Sequence, residues 1–146
     1  MNRQMGKVMT KLTLWNNTDL DNVSRGLMKP EDVRTETVEA LVDTGATQLV
    51  LPLDLCVRLG FSTLKPATVR LADGKVQEIP HAGSIRLSIL GREMECDALV
   101  MPAGTRPLIG QVQLEVLDLI VDARSQEVRA NPAHPDAPII DLLAVA

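Results

Sequence analysis

Aromatic side chains are almost missing from this 146-residue chain: Trp15 and Phe61 stand alone, and there is no tyrosine. A core without them must be aliphatic, and platforms on which nucleic-acid bases stack are excluded. Basic charge is short as well. Fifteen Lys and Arg face nineteen Asp and Glu, for a net charge of -4, and the basic residues are scattered, so the electrostatic footprint of a nucleic-acid binder is absent. The two cysteines, Cys56 and Cys96, lie far apart, outside any CxxC pattern and among apolar neighbours, and read as reduced core residues. His81 and His134 have no Cys or second His at ligand spacing, so no metal is expected, and no motif calls for a cofactor. Long hydrophobic runs are missing too. Leu49 to Phe61 is broken by Pro52, Asp54 and Arg58, far short of the ~20 apolar residues that span a bilayer. The start, Met1 to Lys11, has no unbroken apolar segment of the kind an export signal needs. These absences predict a cytoplasmic protein with neither membrane nor nucleic acid as partner.

What is present is a chain 45% hydrophobic and 23% charged, enough for one domain with a real core. Val8, Thr10, Leu12 and Leu14 alternate with polar residues, the period-two pattern of a half-buried strand. Asn16 to Pro30 is rich in turn formers and reads as a long surface loop with a mobile tip. Arg34 to Val42 is β-branched and predicts a strand, and Thr47 to Pro52 resumes an apolar run. A short helix is expected over Asp54 to Gly60. Asp73-Gly74 between Thr68 to Leu71 and Val76 to Ile79 is a strong hairpin signal, and Ile85 to Val100 folds back around Leu90-Gly91-Arg92 as a second hairpin. A short helix at Gln111 to Leu117 and a strand at Leu119 to Asp122 follow. Many short strands with few helical pieces predict an all-β fold, a barrel or a sandwich. Residues 1–130 then form the domain, while 131–146 are a Pro-rich connector and an apolar tail, Ile139 to Ala146, that needs cover.

The chemistry-bearing feature is Leu41-Val42-Asp43-Thr44-Gly45-Ala46: a carboxylate ending an apolar strand, then a hydroxyl, then a glycine that permits a tight turn. An Asp-Thr-Gly arises by chance in roughly one chain in thirty of this length, so the tripeptide alone is weak. Its context adds weight, because apolar runs on both sides would carry the carboxylate inward, where an ionised group needs a partner or a proton.

In order, Asp43-Thr44-Gly45-Ala46, the hairpin around Asp73-Gly74, and Leu108-Ile109-Gly110 entering a short helix resemble the retropepsin-like (clan AA) aspartic proteases, above all their bacterial single-lobe members. The resemblance spans Val8 to Asp122, is carried by Ala40 to Pro52, Leu71 to Lys75 and Pro107 to Asp122, and leaves Ala130 to Ala146 unaccounted for. It implies a closed acid-protease barrel with one short helix after the hydrophobic-glycine motif. Asp43, Thr44 and Gly45 would be the catalytic residues. Ala46, Thr47, Leu71, Ala72, Asp73 and Gly74 would contact a peptide or protein substrate, the last four as a flap. Two carboxylates are needed and the chain holds one such motif, so the resemblance also implies a homodimer with one Asp43 from each subunit. The tail would pair with the partner subunit, with the cleft as its other home. One departure stands out: Thr47 and Gln111 occupy the places where retroviral members carry an Asp and an Arg that pair. That double loss leaves no orphan charge, and it favours the alternative reading of a noncatalytic peptide-binding or dimerisation module on the same fold.

Overall fold

The structure, a computed structural model, describes residues 7–142. The expectations that rest on Met1 to Gly6 and on Leu143 to Ala146, the N-terminal start and the end of the apolar tail, lie outside the described residues. Strand β1 (Val8–Asn16) alternates as expected, burying Leu12 and Leu14 completely. Helix α1 (Asn17–Ser24) follows where a loop was expected, and this is a correction to the sequence reading. Propensity alone would not make that helix: its apolar positions are few, but tertiary contacts hold its first turn. Asn16 caps it, its Oδ1 accepting the Asp19 N–H at 2.9 Å, while its Nδ2 donates to the Leu59 and Gly60 carbonyls at 2.8 and 3.2 Å. Asp19, 2% exposed, takes a two-pronged ion pair from Arg34, Nε to Oδ2 and Nη2 to Oδ1, both 2.9 Å. The guanidinium lies over Gly60, where an added Cβ would meet Nη1 at 1.8 Å and displace it, and the φ of +67° there favours glycine as well. Cap, ion pair and glycine thus clamp the segment before β2 to the barrel.

Strand β2 (Thr35–Val42) pairs antiparallel with β1. Strand β3 (Val50–Pro52) and helix α2 (Leu53–Arg58) come next, then β4 (Ser62–Arg70), the long β5 (Val76–Ile89), β6 (Arg92–Met101), the two-residue β7 (Leu108–Ile109), helix α3 (Gln111–Leu117), and a small hairpin of β8 (Leu119–Asp122) and β9 (Glu127–Ala130). The sheet order is β1-β2-β7-β3-β6-β5-β4, and β1 also pairs with β5 from Thr13↔Ser88 to Asn16↔Ile85. That pairing closes six strands into a barrel and leaves β4 outside it. The barrel is mainly β, as expected, and its lumen is aliphatic: Leu12, Leu14, Leu51, Ile85, Leu87 and Ile109 are fully buried. Each contributes roughly 1.5–3 kcal/mol of burial. Closure removes the sheet's free edges except along β4, where Pro66 sits at an irregularity in the β4–β5 register.

Two strands of the barrel set the stage for the site. β7 lies between β2 and β3, parallel to the first (Leu41↔Leu108, Val42↔Ile109) and antiparallel to the second (Val50↔Leu108). The segment after β9 is held against the fold. The Asn131 N–H donates to the Asp118 carbonyl at 3.0 Å, and the Asp118 carboxylate accepts from Asn131 Nδ2, the Ile139 N–H and His134 Nδ1. The Asn131 amide, then the Ile139 N–H and His134, hold the Asp118 carboxyl down at about 2. Buried Arg92 donates to the Leu117, Asp118 and His134 carbonyls. The connector is thus anchored as far as Ile139, beyond which Ile140 and Leu142 are exposed.

Candidate active site

β2 ends at Val42, but its ladder runs one residue further: the Asp43 N–H donates to the Ile109 carbonyl at 3.0 Å. The chain then reverses, with the Ala46 N–H on the Asp43 carbonyl at 3.0 Å and the Gly45 N–H on Asp43 Oδ1 at 2.9 Å. This side-chain turn fixes where the carboxylate points. A Cβ at Gly45 would stand 3.2 Å from the same oxygen and crowd it. Behind the turn, α3 supplies the N–H groups that a helix leaves unsatisfied at its start. Gln111 N–H donates to the Ala46 carbonyl at 2.8 Å and Val112 N–H to the Thr47 carbonyl at 3.1 Å. Gly110 makes that approach possible, since an added Cβ would lie 2.6 to 2.7 Å from Thr47 and Gln48 backbone atoms. Its own N–H is taken by Gln113 Oε1 at 3.2 Å, a side chain 2% exposed. Leu108 and Ile109 are therefore supports for the loop.

Within one chain the Asp43 carboxylate is only half buried, and Thr44 and Gly45 are exposed. The expectation that flanking apolar runs draw it into the interior is corrected here: those runs bury Val42 and Leu49, while the turn between them faces outward. The chain carries one Asp-Thr-Gly. Thiol chemistry is disfavoured, because burial, aided by Asp54 and Asp97 respectively, pushes Cys56 up to about 11 and Cys96 up to about 12. Among the described residues no three His, Cys, Asp or Glu gather as metal ligands, and no helix is long and apolar enough to cross a membrane.

Beside the turn lies a cleft of 630 Å³. One wall is the loop itself, Gly45 to Gln48, with Val50, Leu99 and Met101 as the floor. The other is the β4–β5 hairpin, through Thr68 to Leu71, Gln77 and Ile79. Of the residues singled out from the sequence, Gly45, Ala46, Thr47 and Leu71 line this cleft, Asp43 and Thr44 sit in the adjoining turn and are not part of its lining, and Ala72, Asp73 and Gly74 form the hairpin's turn beyond it. That turn is prebuilt by Gly74 N–H on the Leu71 carbonyl, Lys75 N–H on Asp73 Oδ1 and a Gly74 φ of +87°. Sequence reasoning missed Gln48, Val50, Thr68 to Arg70, Gln77, Ile79, Leu99 and Met101. Alternation along the hairpin arms could have found Val69, Gln77 and Ile79, which share one face, whereas Thr68 and Arg70 alternate to the other face and gave no such signal. Thr47 and Gln111 do not pair, since the Gln111 amide turns to Glu115 Oε1 at 3.1 Å.

A family model described as gag-polyprotein putative aspartyl protease covers residues 32–115, more than half of the chain, from the end of the clamp before β2 to within α3. No curated protein matches the chain.

Proposed function

The chain belongs to the retropepsin-like aspartyl proteases of the gag-polyprotein type, and on that premise we propose that it is an aspartic endopeptidase active as a homodimer, with Asp43 of each subunit forming the dyad. The observation that carries this reading is the Asp43 turn. It is braced from behind by β7 and α3, open in front, and holds one carboxylate where the chemistry needs two. Thr44 is exposed beside it and would bond across a two-fold axis to its counterpart. A second copy over this face would also dry the site, which strengthens every charge interaction within it.

In the reaction, one carboxylate takes a proton from a water whose oxygen attacks the peptide carbonyl carbon. The other, protonated, donates to the carbonyl oxygen. Collapse of the tetrahedral species breaks the C–N bond, and the leaving amine carries away the proton that the first carboxyl gained. The cleft floor of Val50, Leu99 and Met101 suits apolar side chains next to the cut. The β4–β5 hairpin would act as a flap over an extended substrate.

Asp43→Asn keeps the shape but can neither act as base nor share the proton, so peptide hydrolysis should fall at least roughly a thousandfold while the dimer persists. Specific activity of the wild type should also drop on dilution as dimer gives way to monomer. Turnover by the Asn variant, or activity that stays flat down to concentrations where only monomer sediments, refutes the shared dyad. Peptide binding without cleavage by the wild type would favour the noncatalytic module instead.

A further inference from the structure

The charge of the cleft is unlike that of the whole protein. The chain is net acidic, yet among the described residues Arg70 is the single formally charged one of the cleft lining. Thr47 stands where retroviral relatives put an aspartate, so no carboxylate from that position faces the cation. Among the described residues Arg70 makes no ion pair, and its one hydrogen bond is a long one, Nη1 to the Gly74 carbonyl at 3.4 Å. Glu78, on the neighbouring strand opposite Thr68, does not pair with it either. The other polar side chains of the lining, Thr47, Gln48, Thr68 and Gln77, can all donate hydrogen bonds, and among the described residues none is engaged by another side chain. A guanidinium in a lining whose other polar side chains can donate, and which among the described residues holds no carboxylate, suits recognition of a carboxylate.

We infer that the cleft takes extended peptides bearing an acidic side chain a residue or more away from the apolar pair at the cut, and that Arg70 recognises that acid. This rests on the reading of the cleft as a peptide site. The apolar floor and the cation on the hairpin wall are separate parts of the lining, so the acid belongs to a flanking subsite. There it also avoids the negative charge of the Asp43 pair. Since Arg70 sits on the hairpin, an acidic substrate would draw the flap toward the floor, coupling recognition to closure.

The test uses the full-length wild type and a fluorogenic octapeptide with a central apolar pair, in which Glu or Gln is placed in turn at each other position. At one position Glu should raise kcat/KM roughly fivefold over Gln at low salt, and the ratio should shrink at high salt. Arg70→Gln should bring the two peptides within twofold of each other, and Arg70→Glu should turn the preference toward Lys. Equal rates for Glu and Gln at every position, or a Glu preference that survives Arg70→Gln, overturn the inference. Calorimetry on the Asp43→Asn protein with the same peptides separates this from the protease reading. Tighter binding of the Glu peptide that is lost with Arg70→Gln, in a wild type that cuts nothing, upholds the acid subsite and refutes the protease. Absence of binding, or of any Glu preference in binding, overturns the subsite.

Discussion

The two walls of the cleft are built on opposite principles. The loop wall is over-determined: Asp43, Ala46 and Thr47 each spend backbone groups on β7, on the turn itself or on α3, and Ile109 behind them is fully buried. The hairpin wall has nothing beneath its outer half. Every residue from Arg70 to Glu78 is exposed, Ile79 is the first buried one, and what holds the arms is their own ladder and the Asp73-Gly74 turn. A wall tied to the core must hold its geometry or unfold with the core. A wall tied only to itself can open locally at small cost. The division suits the proposed function: a catalytic carboxylate would need fixed placement, whereas a flap over substrate would have to move aside to admit it.

The sharpest way to break this contrast is at Gly110. Gly110→Ala pushes a methyl into the Thr47–Gln48 backbone at 2.6 to 2.7 Å, and neither backbone segment can retreat without losing its bonds to α3. Loss of about 2–4 kcal/mol is expected in denaturant melts, together with most of the hydrolytic activity. A variant as stable as the wild type would mean the loop is not braced from behind.

Next in size is the clamp that ties the segment before β2 to the barrel. Arg34→Ala strands the Asp19 carboxylate at 2% exposure and should cost about 2–3 kcal/mol at neutral pH, tempered because Arg34 itself is half exposed. Its pH dependence has a definite sign. Arg34, first through its side-chain bonds, holds Asp19 below the ordinary carboxylate range. The pair's contribution is therefore complete above about pH 4 and fades as pH falls through the lowered value. In the variant the stranded carboxyl instead finds relief in protonation, so the gap between the two proteins should narrow on acidification. Urea melts at pH 7 and at pH 3 measure it, and a gap independent of pH would assign the loss to packing.

The barrel was legible because alternation survives wherever one strand face meets the lumen, as in Val8 to Leu14 and Ile85 to Val100. The Asp43 turn and its support were legible because glycine and short polar residues punctuate apolar runs there. Helix α1 was not, since what folds it is Asn16 reaching Leu59 and Asp19 reaching Arg34, contacts that no local window contains. The partial exposure of Asp43 was hidden for a related reason: hydrophobic flanks report where their own side chains go, and a reversing turn between them can face either way. The cleft lining escaped because the eye rests on the hairpin's turn, while the arms, one strand removed from the core, do the lining.

The smallest effect is expected at the hairpin tip, and there the comparison is most finely tested. Gly74 has φ of +87° with nothing within 4 Å of where a Cβ would be, so Gly74→Ala meets no clash and incurs only the backbone penalty of a left-handed residue, about 1 kcal/mol. Because the outer arms rest on no core, that penalty should appear as local opening. Amide exchange at Leu71 and Lys75, the residues joined across the turn by a 2.8 Å bond, should speed up roughly fivefold, while the global melting temperature moves by no more than a few degrees. If the flap closes on substrate as proposed, KM should rise more than kcat falls, since the loosened turn weakens the grip on the bound peptide without displacing Asp43. A global loss of stability equal to the local one would show instead that the hairpin melts together with the barrel, and the two walls would then be one cooperative unit.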